Sequence, residues 1–219
     1  MFAGANSDNL LGFARLMRMS MAGIDLTPLG QSLLARAAQN SQDACALLDA
    51  GVILEIKGNQ EIGVALQQEA LRIKPHFCLP AATPAPGLRL LALMAPGDLT
   101  ANIPVGCLLE NSDVELHMYY VQSGAAFQLP DIEHDVLLVA VSVSEANLPL
   151  LAQLQIHLAN WPKPVLNTPA NIIHLARDEA YRLLHSIDQV AMPPTIKLSK
   201  SVLAEICRDE KLLHDAHAL

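Results

Sequence analysis

The segment Pro80-Ala81-Ala82-Thr83-Pro84-Ala85-Pro86-Gly87 divides the chain into two halves of different periodicity. Its prolines remove backbone donors and push the residues before them out of the helical region, so the stretch is expected to be extended. Before it, apolar residues recur at three- and four-residue spacing: Leu10, Leu11, Ala14, Leu16 and Met17, then Leu29, Leu33, Leu34 and Ala37. That is the period of a helix buried on one side. Two further helices are expected over residues 46–57 and 60–74, broken at Gly58-Asn59. The expected organisation is a helical region over 1–76, a proline-rich linker over 77–87, an α/β domain over 88–200, and a C-terminal helix or tail over 201–219.

After the prolines, short apolar runs alternate with helical patterns. Strands are expected over 88–95, 114–121, 135–143, 164–166 and 195–198. Helices are expected over 103–110, 145–160, from about 169 to 186, and 201–207. Residues 135–143 are almost continuously apolar, as in strands covered on both faces of a parallel sheet. Alternation of this kind predicts an α/β fold with an open, mostly parallel sheet.

Hydrophobic residues make up 52% of the 219, enough for a packed core and too many for a disordered chain. Fourteen basic residues against 22 acidic ones leave a net charge of −8, which argues against a nucleic-acid partner. Aromatic residues are only 4%, so a base-stacking platform is not expected either. The longest apolar run, around 136–143, is far short of the roughly 20 residues that span a bilayer, and no membrane partner is expected. The N-terminus carries Asn and Asp before its apolar part and Arg after it, the reverse of a signal peptide. Cys45, Cys78, Cys107 and Cys207 are scattered among apolar neighbours and read as small core residues. Reduced thiols fit a cytoplasmic location.

Residues 46–75, ALLDAGVILEIKGNQEIGVALQQEALRIKP, resemble a tetratricopeptide repeat. Gly51 falls where the two helices of such a repeat pack closely, Leu54 takes a large position, and Gly58 makes the turn. Ala70 is the small residue of the second helix, and Pro75 ends it. A weaker copy lies upstream, with Gly23 answering Gly58 and Ala35 answering Ala70. Two repeats are fewer than an independent solenoid needs, so these helices are expected to pack on the α/β half or on another chain.

The α/β half resembles the domain that precedes the ATP-grasp fold. The residues that carry the likeness are Ala95-Pro96-Gly97-Asp98, Trp161 through Asn167 (WPKPVLN), Arg177, and Pro193-Pro194-Thr195. With the repeats, residues 10–205 resemble bacterial proteins that join tetratricopeptide repeats to a glutathione-synthetase-like or RimK-like ATP-grasp module. The resemblance implies a Rossmann-like sheet and, in a complete ligase, ATP and Mg²⁺ with a carboxylate activated as an acyl phosphate and attacked by an amine. The two lobes that clamp ATP in such ligases have no counterpart here. No cofactor, no ATP turnover and no tight Mg-ATP binding are therefore expected of this chain alone.

Asp98 and Asn102 follow the first strand of the α/β half, where such sheets bind ligands. They are candidates to hydrogen-bond a small-molecule substrate; capping the next helix would also explain them. Asn167 is a candidate to contact substrate or to pin two loops, beside Thr168 as a natural helix cap and Pro169 at the first helical position. Arg177, by the resemblance, would face a domain boundary; a salt bridge with Asp178 or Glu179 is the other reading. No metal site is expected: His174 and His185 lie three turns apart, and His214-Asp215-Ala216-His217 stands near the chain end. GxSxG, HExxH and P-loop patterns do not occur.

Three functions compete. The chain could be the interaction and substrate-side portion of an ATP-grasp carboxylate–amine ligase-like protein, not catalytic by itself. It could be a non-catalytic tetratricopeptide-type scaffold that binds a protein or peptide, or a second copy of itself, through the helical region. It could be a small-molecule binder of Rossmann type, although its first loop lacks the glycines that usually hold a nucleotide.

Overall fold

The helical spacing at the start of the chain produces α1 (Phe13–Met21), α2 (Thr27–Gln39), α3 (Ala44–Ile56) and α4 (Gln60–Ile73). The computed structural model describes residues 10–122, 129 and 131–208. They divide into a unit that runs to Ile173 and a second that starts at His174.

Helix α3 organises the first unit. Its sequence, ACALLDAGVILEI, has apolar residues on every side, and a helix of that kind must be covered all round. Ala46, Ala50 and Ile53 pack against Leu16 of α1, Leu33 of α2 and Leu26. Cys45, Leu47 and Leu48 belong to a second cluster with the sheet residues Phe77, Leu90, Ala92, Leu116 and Tyr120. Asp43 starts α3. It accepts the Ala46 N–H at 2.9 Å and is gripped by Arg36, whose Nε donates at 2.7 Å. Burial pushes the Asp43 carboxyl up, but these hydrogen bonds outweigh it and hold the group below the usual carboxylate range.

Gly51 and Gly63 face each other where α3 and α4 cross. A Cβ built on Gly51 would lie 2.8 Å from the Gly63 carbonyl oxygen, and one on Gly63 would lie 2.7 Å from that of Gly51.

The sheet contains β1 (His76–Leu79), β2 (Leu88–Met94), β3 (Val114–Tyr120), β4 (Val136–Val139) and β5 (Val165–Leu166), in the order β1-β3-β2-β4-β5. Strands β2 to β5 are parallel, and β1 pairs antiparallel with β3. The protein is thus α/β with a mixed, mostly parallel sheet. One face carries α3, α4 and the short α5 (Val105–Leu109), which buries Val105 in the same cluster. The other face buries Leu91, Leu93, Leu137 and Val139 against Leu150, Leu151, Leu154 and Leu158 of α6 (Leu148–Leu158) and Ile172 of α7 (Pro169–Ile172).

Several local expectations are corrected. Phe77–Leu79, within the expected linker, are in β1, and only residues beyond Leu79 run as a coil. The expected long strand over 135–143 stops at Val139; Val141 makes an isolated antiparallel bridge to Asn102. The expected helix from 169 to 186 breaks into α7, a 3-10 turn over Ile173–Leu175, and α8 (Arg177–Leu184), because Ala176 is extended at ψ 141°. His174 and His185 therefore do not share one helix. Residues 195–198 form no strand. Of the four cysteines only Cys45 is buried, so the expectation of core packing fails for Cys78, Cys107 and Cys207.

The second unit holds α8, a coil, and α9 (Lys200–Ile206), which begins at Ser199 with its hydroxyl accepting the Val202 N–H at 3.3 Å. Residues 209–219, with His214 and His217, lie outside the described residues. Among the described residues no helix is long and apolar enough to cross a membrane.

Candidate functional site

Strand β2 is central, and the chain leaves it for β3 on one side and returns to β4 on the other. In an open parallel sheet that reversal makes a crevice at the carboxyl ends of the strands. Here the loop after β2, residues 95–104, folds back across the crevice. Ile103 N–H donates to the Ala140 carbonyl at 2.8 Å and Ser142 N–H to that of Ala101 at 2.9 Å. Buried Asn147, just before α6, donates its amide to the carbonyls of Ala101 (3.1 Å) and Ser142 (2.9 Å).

Asn102 spends its amide inside this loop. Its Oδ1 accepts the Ala95 N–H at 2.7 Å and its Nδ2 donates to the Ala95 carbonyl at 2.8 Å. Asp98 closes a turn, with Oδ1 accepting Thr100 N–H at 2.8 Å and Thr100 Oγ1–H at 2.6 Å. Those bonds hold its carboxyl below the usual range. Neither residue caps α5, where Pro104 occupies the cap position without a side-chain bond. Helix side chains grip the loop from the other direction. Gln60 Nε2 donates to Asp98 Oδ2 at 2.5 Å, Gln67 Oε1 accepts Gly97 N–H at 2.8 Å, and Glu55 Oε2 accepts Leu99 N–H at 2.9 Å. Burial raises the Glu55 carboxyl, and the nearby Asp98 adds to that.

No protein family, curated protein or solved structure matches this chain. What the site can do is therefore read from its own geometry.

Two cavities flank the loop. A small one of about 80 Å³ lies under α3, bordered by Asp49, Gln67, Asp98, Asn102 and Tyr120. A larger groove of about 460 Å³ lies over the carboxyl ends of β2 and β3, between α4 and the start of α6. Gln68 and Arg72 of α4, Gln122 after β3, and Asn147 supply its polar groups, and Pro96, Val121 and Leu150 its apolar wall. Arg72 is exposed and paired with Glu69 one turn earlier. Sequence reasoning missed Gln68, Arg72 and Asn147. They are ordinary residues on helix surfaces or caps, and only the packing of α4 and α6 on the sheet brings them to one place.

The four sequence candidates separate. Asp98 and Asn102 share the loop after β2. Exposed Asn167 adopts φ 58° and donates Nδ2 to the Val139 carbonyl at 3.3 Å, so it pins the loop after β5 to the end of β4. Thr168 stands at the cap position of α7, but its side chain makes no capping bond. Exposed Arg177 begins α8 in the second unit, where Glu179 pairs with Arg182 at 2.9 Å. Replacing Asn102 by alanine strands both polar groups of buried Ala95. It is expected to destabilise the protein by about 1–2 kcal/mol, read by urea titration. An unchanged midpoint would mean that the loop holds without this bracket.

Proposed function

We propose that this chain is the interaction and substrate-side portion of an ATP-grasp carboxylate–amine ligase-like protein, with tetratricopeptide-like hairpins ahead of a Rossmann-like pre-ATP-grasp domain. The observation that carries this reading is the groove at the carboxyl ends of β2 and β3. It is large enough for an amino acid or dipeptide. Arg72 supplies a positive charge, Gln68 and Gln122 supply amides, and the opening turn of α6 adds the positive end of a helix dipole. These groups suit a carboxylate. The close Gly51–Gly63 crossing supports the repeat reading of α3 and α4. Asp98 and Asn102 act here as positioning residues that set the loop wall, rather than as direct ligands.

ATP and Mg²⁺ would be supplied on a separate ATP-grasp core. Calorimetry separates the possibilities. Glutamate and short acidic peptides are expected to bind the chain and to bind Arg72→Ala about tenfold more weakly, since a charge-assisted hydrogen bond contributes roughly 1.5–3 kcal/mol. Mg-ATP is expected not to bind. Micromolar Mg-ATP binding would overturn the non-catalytic reading. Binding of peptides unaffected by Arg72→Ala would favour the scaffold reading over the substrate-side one.

A further inference from the structure

Strand β1 is the sheet edge, and its register with β3 sets Cys78 opposite His117 and His76 opposite Tyr119. Residues two apart on a strand share a face. His76, Cys78, Glu115 and His117 therefore stand together on the face away from Phe77 and Leu116. Next to them on that face, Leu91 and Leu93 of β2 belong to the cluster built on α6 and Tyr119 of β3 packs against it, while the His117 and Glu115 side chains beside it are part-buried. One donor atom each from Cys78, Glu115 and His117 lies within 4.8 Å of the other two. His117 uses both ring nitrogens. Its Nε2 is 3.0 Å from Glu115 Oε1, and its Nδ1 is 3.0 Å from His76 Nε2, with the two rings stacked at 5.2 Å.

We propose that Cys78, Glu115 and His117 bind a divalent transition-metal ion of the zinc type, with His76 orienting His117. Thiolate, imidazole and carboxylate are all zinc donors, and three of them leave a fourth position for solvent. Bond lengths of about 2.3 Å to sulfur and 2.0–2.1 Å to nitrogen place tetrahedral donors about 3.5 Å apart. Rotation of side chains on two hydrogen-bonded strands closes the gap. With the ion bound, His117 Nδ1–H donates a hydrogen bond to His76 Nε2, which leaves the Nε2 lone pair of His117 for the metal; such outer partners fix ring and tautomer. Binding displaces the Cys78 thiol proton to buffer, and the ion meets one thiolate and one carboxylate. Arg89, 3.8 Å from Glu115, is engaged at 2.7 Å by Glu133, so it is not the carboxylate's dedicated partner.

Cobalt(II) chloride, titrated into the full chain, reports ligation and geometry together. The expected result is one ion per chain, a thiolate-to-cobalt charge-transfer band with tetrahedral ligand-field absorption, and displacement by zinc. Cys78→Ser should remove the band, and Cys107→Ser and Cys207→Ser should keep it. Zinc calorimetry should show a loss of at least about tenfold in His117→Ala, and about tenfold in His76→Phe, the usual scale for an outer partner. Should His117→Ala fail to fold, Cys78→Ser decides, because that side chain is exposed. Three results overturn the proposal: no saturable binding of either ion, a charge-transfer band that survives Cys78→Ser, or binding lost instead in His214→Ala/His217→Ala.

Discussion

Between about pH 4 and pH 7, an Asp49→Asn variant is expected to gain on the parent protein by on the order of 3 kcal/mol. Asp49 sits in the middle of α3 with no exposed surface. It accepts the backbone N–H groups of Leu11 at 2.7 Å and Gly12 at 3.0 Å, and so ties the entry to α1 onto α3. Burial raises its carboxyl from 3.8 to about 6, despite the two N–H groups and Arg36, which pull it down. The folded protein therefore binds this proton more tightly than the unfolded chain does. Its contribution is fully present below about pH 4, declines as pH rises to about 6, and is flat beyond. Asparagine cannot ionise, so its stability carries no such slope. It accepts one N–H where the carboxylate accepts two, but that offset is the same at every pH. Other titrating groups are common to both proteins and cancel, except Asp43, whose charge adds to the rise at Asp49 and which loses that neighbour's charge in the variant. Urea titrations of parent and variant across this range read the difference directly. Parallel curves would show that Asp49 does not titrate as its burial requires.

Gly51→Leu is the second large effect, and it is expected to be a loss. In an open helix the exchange would be favourable by roughly 0.5–1 kcal/mol, because leucine is the better helix former. At this position the first added carbon already meets the Gly63 carbonyl oxygen at 2.8 Å. Backbone cannot swing aside as a flexible side chain can. The helices must separate, and overpacking of this kind costs about 1–3 kcal/mol. For a chain of this size that is a fall in melting temperature of several degrees, at about 2–4 °C per kcal/mol. A variant that melts higher than the parent would mean that the α3–α4 crossing is looser than these contacts.

The helical half was legible because its signal is redundant. Each of α1, α2 and α4 repeats its apolar spacing over two or more turns, α3 is apolar all round over 13 residues, and Gly58 marks one break with φ 85°. The central strands were legible for the complementary reason. Leu88–Met94 is covered on both faces, so it is apolar at nearly every position. Strand β1 was not legible. Its four residues include His76 and Cys78, which lie on the face away from α3 and α4, and Pro80 follows at once. Residues 195–198 mislead in the opposite direction, since a short apolar run has no period long enough to separate strand from coil. The candidate site divides the same way. Asp98 and Asn102 could be singled out because sheet topology makes the end of β2 special. Arg72 and Asn147 were not, because nothing in a sequence reports which helix surface will lean over which strand end. The Cys78, Glu115 and His117 cluster spans 37 to 39 residues of chain and exists only through register. The available hint was His76-x-Cys78 and Glu115-x-His117, two pairs at strand spacing.

Helix α3 serves two cores, one with α1 and α2 and one with the sheet. The consequence concerns modularity. A conventional repeat array can lengthen or shorten by whole hairpins, because each hairpin meets only its neighbours. Here the α3–α4 pair also covers the sheet, so removing it would leave Phe77, Leu90, Ala92, Leu116 and Tyr120 open to water. The proline-rich stretch marks a change in the local grammar of the chain, yet it is not a seam along which this protein can be dismantled, and recombination at that point would separate two halves of one hydrophobic interior.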